Sequence, residues 1–121
     1  MALTLVGGSG GDRRLYESEV ASLATVIEGD IDPSLIKVSI GCLYLDSGGD
    51  LVIPTAGTVT IMVKTENTRQ WEEIPNNVID STVPTTLPVG ANIISVQATP
   101  SALAGGSIAT YQLCVTANKG N

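Results

Sequence analysis

Apolar and polar residues alternate along four stretches of the chain, the period-2 signature of strands with one buried face. In residues 37–45, Val38, Ile40, Cys42 and Tyr44 share a face, and in residues 58–64 Val59, Ile61 and Val63 do. Later, Ile94, Val96 and Ala98 alternate with Ser95 and Gln97, and Tyr111, Leu113, Val115 and Ala117 alternate with Gln112 and Thr116. Residues 51–53, 70–74 and 78–80 predict shorter strands. Turn-forming residues separate these runs at 46–50 (DSGGD), 54–57 (PTAG), 66–68 (ENT), 75–77 (PNN), 84–90 (PTTLPVG) and 100–106 (PSALAGG). Short strands at this spacing predict an all-β fold, a single antiparallel β-sandwich or jelly-roll-like domain over residues 34–121.

The first third departs from that pattern. Tyr16, Val20, Leu23 and Ile27 fall at i, i+4, i+7 and i+11, with Asp12 placed to cap the start and Gly29 near the stop, which predicts one short helix within residues 12–33. The consecutive β-branched Thr25, Val26 and Ile27 keep a strand over residues 21–28 as the competing reading. Ahead of it, residues 7–11 (GGSGG) have the composition of a flexible linker, so residues 1–11 read as an extended, flexible N-terminal arm carrying Leu3, Leu5 and Val6. Such an arm gains little by packing on its own small domain and is expected to reach a neighbour.

Composition reinforces the strand reading. Val, Ile and Thr supply 36 of 121 residues, and β-branched side chains suit a pleated, half-buried surface. A chain of this length buries about two-thirds of its unfolded surface, enough for one core. With 43% apolar and 15% charged residues it is expected to fold. The six basic residues, Arg13, Arg14, Lys37, Lys64, Arg69 and Lys119, are scattered against 12 acidic ones, which gives no basis for binding a phosphate backbone. A net charge of −6 discourages approach to anionic membranes. Residues 1–6 lack the basic region of a signal peptide, and no window reaches transmembrane length. Cys42 and Cys114 are too far apart for a CxxC motif and are expected to be free, buried thiols in a reducing cytoplasm, with a Cys42–Cys114 disulfide as the minority reading.

Candidate chemistry is sparse. Residues 7–11 match the nucleophile-elbow pattern G-x-S-x-G, but the chain has no histidine to act as base, and the run lacks the Lys-Ser/Thr end of a phosphate loop. Neither catalysis nor a cofactor is expected. Residues 28–32 (EGDID) and 46–50 offer carboxylates on flexible backbone, as calcium loops do, without matching the EF-hand, and no metal is expected. The stretch RQWEEIPNN at 69–77 sets Glu72 and Glu73 beside Trp71. A glycosidase needs two carboxyls across one bond, whereas neighbours on a strand point to opposite faces. Trp71 therefore reads as packing at the rim of the sandwich, with its indole N–H reaching a carbonyl. A sugar platform is the alternative, but the aromatic supply is only Trp71, Tyr16, Tyr44 and Tyr111.

Five phrases resemble the small β-sandwich structural proteins of tailed bacteriophages: PTAGTVTI at 54–61, WEEIPNNVID at 71–80, ISVQATP at 94–100, LAG at 103–105 and YQLCVTA at 111–117. They span somewhat over half of the chain and leave the arm and the expected helix unmatched. The resemblance implies a virion structural protein that decorates or cements the capsid, or attaches to the tail, often as a symmetric oligomer with exchanged terminal arms. The pattern Tyr111-x-Leu113-x-Val115-x-Ala117 also looks like the penultimate strand of a fibronectin type III domain. With no final strand after it and no tryptophan at the second-strand position, a complete domain of that kind is not expected.

The expectation is thus a non-enzymatic phage virion protein, made in the bacterial host cytoplasm and located in the virion. It would bind and stabilise the major capsid lattice as a homo-oligomer, a trimer being favoured, with the major capsid protein or another virion protein as partner and without nucleic acid or membrane. A tail or head-to-tail accessory protein is the first alternative and a glycan-binding module displayed on the particle the second. The expected contacts are Leu3, Leu5 and Val6 of the arm; Arg13 and Arg14 as anchors to carboxylates on a neighbour; and Met62, Trp71 and Ile93, with Met62 and Ile93 on exposed sheet faces.

Overall fold

The alternating stretches form the centre of two antiparallel sheets packed face to face. The computed structural model describes residues 1–9, 13–80, 86–89 and 92–119. Among these lie ten strands and no helix: β1 Leu3–Ser9, β2 Arg13–Ser18, β3 Ala21–Ser22, β4 Ile27–Asp30, β5 Lys37–Leu45, β6 Ala56–Thr65, β7 Glu72–Asp80, β8 Thr86–Val89, β9 Ile93–Ala104 and β10 Thr110–Asn118. The larger sheet runs β1-β2-β10-β5-β8, with β3 also paired to β10, and the smaller runs β4-β9-β6-β7. No helix of the described residues is long and apolar enough to cross a membrane.

The core lies between the sheets. Val38, Ile40, Cys42 and Tyr44 of β5 and Tyr111, Leu113, Val115 and Ala117 of β10 face Val59 and Ile61 of β6, Ile79 of β7, and Val96 and Ala98 of β9. Register fixes the two ends of the sandwich. Arg13, Asn118 and Lys37 stand side by side at one end of the larger sheet, and Ser22, Thr110 and Leu45 at the other. Connections 46–55 and 105–109 join the sheets at the Leu45 end, where Ala109 N–H donates to the Leu45 carbonyl (2.8 Å) and Thr55 N–H to that of Ala104 (2.9 Å). The 65–71 turn and the 31–36 connection lie at the Lys37 end.

Two tyrosines tie the segment around β4 to the opposite sheet. Tyr111 Oη donates to the Thr25 carbonyl, and Tyr16 Oη accepts from Asp32 N–H at 2.8 Å. Between β2 and β3 a side chain stands in for the ladder: Ser18 Oγ accepts from Leu113 N–H (3.0 Å), while Gln112 Nε2 donates to the Ser18 carbonyl (2.7 Å).

The structure corrects the reading of the first third. The expected helix over residues 12–33 is replaced by β2, β3 and β4; Tyr16 and Ile27 are both buried, but in strands of different sheets. The expected arm is a sheet strand, because the backbone of Gly7, Gly8 and Ser9 pairs with Leu15, Arg14 and Arg13. Proposed turns at 75–77 and 100–106 lie largely within β7 and β9, and the 84–90 turn gives way to β8 over its described part. Pro100 is tolerated in β9 because β4 pairs only as far as Ala98, so the edge beside Pro100 carries no β4 partner that would need its N–H. Of residues 51–53, Leu51 alone forms a bridge, to Leu45.

Candidate interaction surface

β1 owes its position to a close approach on each side. Toward β4, Glu28 N–H donates to the Met1 carbonyl (3.0 Å), and a Cβ on Gly29 would sit 2.5 Å from Leu3 Cβ, so only glycine lets the strand so near. Toward β2, a Cβ on Gly8 would meet Arg13 O at 2.4 Å. Leu3 is consequently part of the core. Beyond it β1 runs out from under the smaller sheet. Leu5 stands opposite Tyr16, yet Tyr16 is 6% exposed and Leu5 55%.

Val6 is the extra residue of a bulge, since Leu5 pairs with Tyr16 and Gly7 already with Leu15. It is 52% exposed. One shallow groove is lined by Leu5, Val6, Gly7, Gly8 and Arg14, and a second by Gly7, Gly8, Arg13 and Leu15. Arg13 is exposed and Arg14 half-buried, with Arg14 Nη1 donating to the Arg13 carbonyl at 2.9 Å. Among the described residues no strand pairs with the outer edge of β1 beyond Leu3.

Leu5, Val6, Arg13 and Arg14 are thus brought together on one hairpin, while Leu3 is turned into the core. Met62 and Trp71 lie elsewhere, at the smaller sheet. Met62 is half-buried in a cross-strand row with Gln97 and Glu73, and Glu28 follows beyond Gln97. Trp71 is half-buried with Lys64 Nζ 4.7 Å from its ring centroid, a cation–π contact between a turn and a strand that no sequence periodicity signals. Ile93, expected on an exposed face, is core. Between Lys64 and Thr65, β6 advances one residue while β9 advances two, and this bulge reverses the alternation that the sequence implied.

Other candidate sites are accounted for by local bonding. Glu73 stands opposite Met62 and Glu72 opposite Val63, so the two carboxylates leave opposite faces, and Glu72 accepts from Thr68 Oγ1 at 3.2 Å. Asp46 Oδ1 accepts from the N–H groups of Gly48 (2.9 Å) and Asp50 (3.0 Å). Among the described residues no three His, Cys, Asp or Glu side chains are placed to share a metal ion. Cys42 points into the core and Cys114 away from it, since Leu113 lies opposite Cys42 and Cys114 opposite Gly41; both thiols are free. Burial pushes the Cys42 thiol up to about 12 and raises that of Cys114 as well, so neither is an activated nucleophile.

The chain has partial similarity to several solved structures. A protein of the Bacillus endospore appendages, described as disulfide-linked pili, is 20% identical over 95% of this chain and 87% of its own, with a TM-score of 0.45. The C-terminal family 22 carbohydrate-binding module of Clostridium thermocellum Xyn10B is 9% identical over 98% and 80%, with a TM-score of 0.41. A chain of the cyanophage Pam1 capsid asymmetric unit is 10% identical over 93% and 90%, with a TM-score of 0.36. At these scores the likenesses assign no function. No curated protein matches the sequence. A sequence-family model does match residues 12–120, and the chain accordingly belongs to that family, the domain of unknown function DUF7265.

Proposed function

We propose that this chain is a non-enzymatic structural protein of a phage particle, and that it decorates the major capsid lattice by docking through the β1–β2 hairpin. The observation that carries the reading is the open outer edge of β1. An unpaired strand edge is a template for another chain, and proteins ordinarily blunt it with Lys or Pro. Strand β1 contains neither, carries exposed Leu5 and Val6, and has Arg13 and Arg14 beside it on β2. Backbone groups along the edge would supply hydrogen bonds, the two aliphatic side chains about 25 cal/mol for each Å² they bury, and the arginines a grip on carboxylates of the partner. The phage setting is supported by the phrase resemblance of residues 54–117.

The glycan-binding alternative has less support, because Lys64 already occupies a position over the ring of Trp71. The test is Leu5→Lys combined with Val6→Lys in the full chain, since both side chains are exposed and the fold does not depend on them. Occupancy on purified capsid lattice should fall at least tenfold while the thermal midpoint stays unchanged. Occupancy equal to that of the unmodified chain would refute the docking role of β1.

A further inference from the structure

The six cations that are scattered in sequence are gathered in space. Arg13, Asn118 and Lys37 share one row across the larger sheet, Arg14 is one residue further in, and Lys119 follows Asn118. Lys64 pairs with Ser95 near the same end of the smaller sheet, and Arg69 sits in the turn beyond it. The described carboxylates at this end include Glu66 and three that are engaged locally: Asp32 with Ser34, Glu72 with Thr68, Asp30 with Ser95. Ile36 is 53% exposed among these cations.

The opposite end has carboxylates without Lys or Arg beside them. It carries Glu19, Asp46 and Asp50 and neither Lys nor Arg; its one cation is the Met1 ammonium, 3.4 Å from the Val26 carbonyl. Apolar side chains concentrate there too, with Leu51 69%, Ile53 55% and Val20 51% exposed. The connections that present them are held in place. Asp46 N–H donates to the Asp50 carbonyl (2.9 Å) and Val52 N–H to that of Tyr44 (2.9 Å), so docking there costs little ordering entropy.

We propose that copies of this chain associate head to tail, the acidic apolar end of one (Asp50, Leu51, Ile53) seating on the cationic end of the next (Arg13, Ile36, Lys37). The occupant is a second copy because each end offers what the other lacks, opposite charge around an exposed aliphatic centre. A surface that is complementary to a different surface of the same molecule makes a heterologous contact, which closes into a ring or runs on as a filament according to its rotation. Like ends repel, which disfavours a contact of either end with its own kind. This contact shares Arg13 with the β1 surface but centres on Ile36 and Lys37, and the variants that test it leave Arg13, Leu5 and Val6 unchanged.

The experiment uses two full-length variants, Asp50→Lys with Leu51→Lys at the acidic end and Ile36→Glu with Lys37→Glu at the cationic end, all four being exposed positions. In sedimentation velocity at low salt, the wild type should gain mass with concentration and lose it as salt is raised. Each variant alone should stay monomeric where the wild type is half associated, a weakening of at least tenfold. Mixed one to one, the two variants should associate again, because each alone presents two ends of like charge while the mixture restores contacts between opposite ends. A wild type that is monomeric at every concentration, a variant that associates like the wild type, or a mixture that stays monomeric would each overturn the proposal.

Discussion

Three tyrosines point into the sandwich, and what their hydroxyls meet sets what each contributes. Tyr16 Oη takes the N–H of Asp32 and Tyr111 Oη donates to Thr25, whereas the buried Tyr44 Oη has no partner among the described residues. A buried hydroxyl without a partner costs free energy, and one that satisfies a backbone group contributes about 1 kcal/mol. Tyr16→Phe and Tyr111→Phe should therefore each lower stability in urea by about 1–2 kcal/mol, and Tyr44→Phe should leave it unchanged or raise it. Ser18 makes a sharper case, because Ser18→Ala strips Leu113 N–H of its acceptor inside the larger sheet. A loss of about 1–3 kcal/mol is expected from urea unfolding, with faster exchange of the Leu113 amide.

Strands were legible where side chains alternate and illegible where they do not. β5, β6 and β10 announce themselves through inward Val, Ile, Leu and Tyr. β1 hides in a glycine run that shows no alternation, and its strand character comes from backbone pairing to β2 alone. The false helix had a physical origin as well. Tyr16 and Ile27 are eleven residues apart, a spacing that fits one helical face as well as two strands facing each other across a core. Ile93 escaped because a bulge one residue on reverses the alternation of β9. Of the candidate surface, Leu5, Val6, Arg13 and Arg14 were readable, but their assembly on a hairpin was not. At this scale Gly29→Val should force β1 away from β4. A stability loss of about 1–3 kcal/mol is expected, together with protease cleavage confined to residues 1–9, detected by mass spectrometry.

The gathering of the cations belongs to the whole molecule. Antiparallel pairing brings residues 13, 37 and 118 into one row, and no local periodicity encodes such a meeting. Stability against pH is also a property of the whole sandwich. Cys42 keeps its proton up to about 12 in the folded chain, whereas its ordinary value is 9.0. Its contribution is therefore complete below pH 9 and drains as pH rises from 9 toward 12, by up to about 1.4 kcal/mol per pH unit. Buried Tyr44 and Tyr111, whose hydroxyls are also raised by burial, add to the loss at higher pH. Cys42→Ala should make the urea-midpoint profile shallower between pH 9 and 12, with Cys114 and the two tyrosines accounting for the slope that remains. One feature of the larger sheet bears on biosynthesis. β10 lies between β2 and β5, so both halves of that sheet depend on a strand made well after either of them. Until residues 110–118 have emerged, β2 and β5 have no common neighbour, and the nascent chain leaves Val38, Ile40 and Tyr44 without the β10 side chains that share their face. Cooperative folding is thereby deferred until Thr110–Asn118 is available, and a ribosome stalled before Thr110 should present a chaperone client rather than a folded domain.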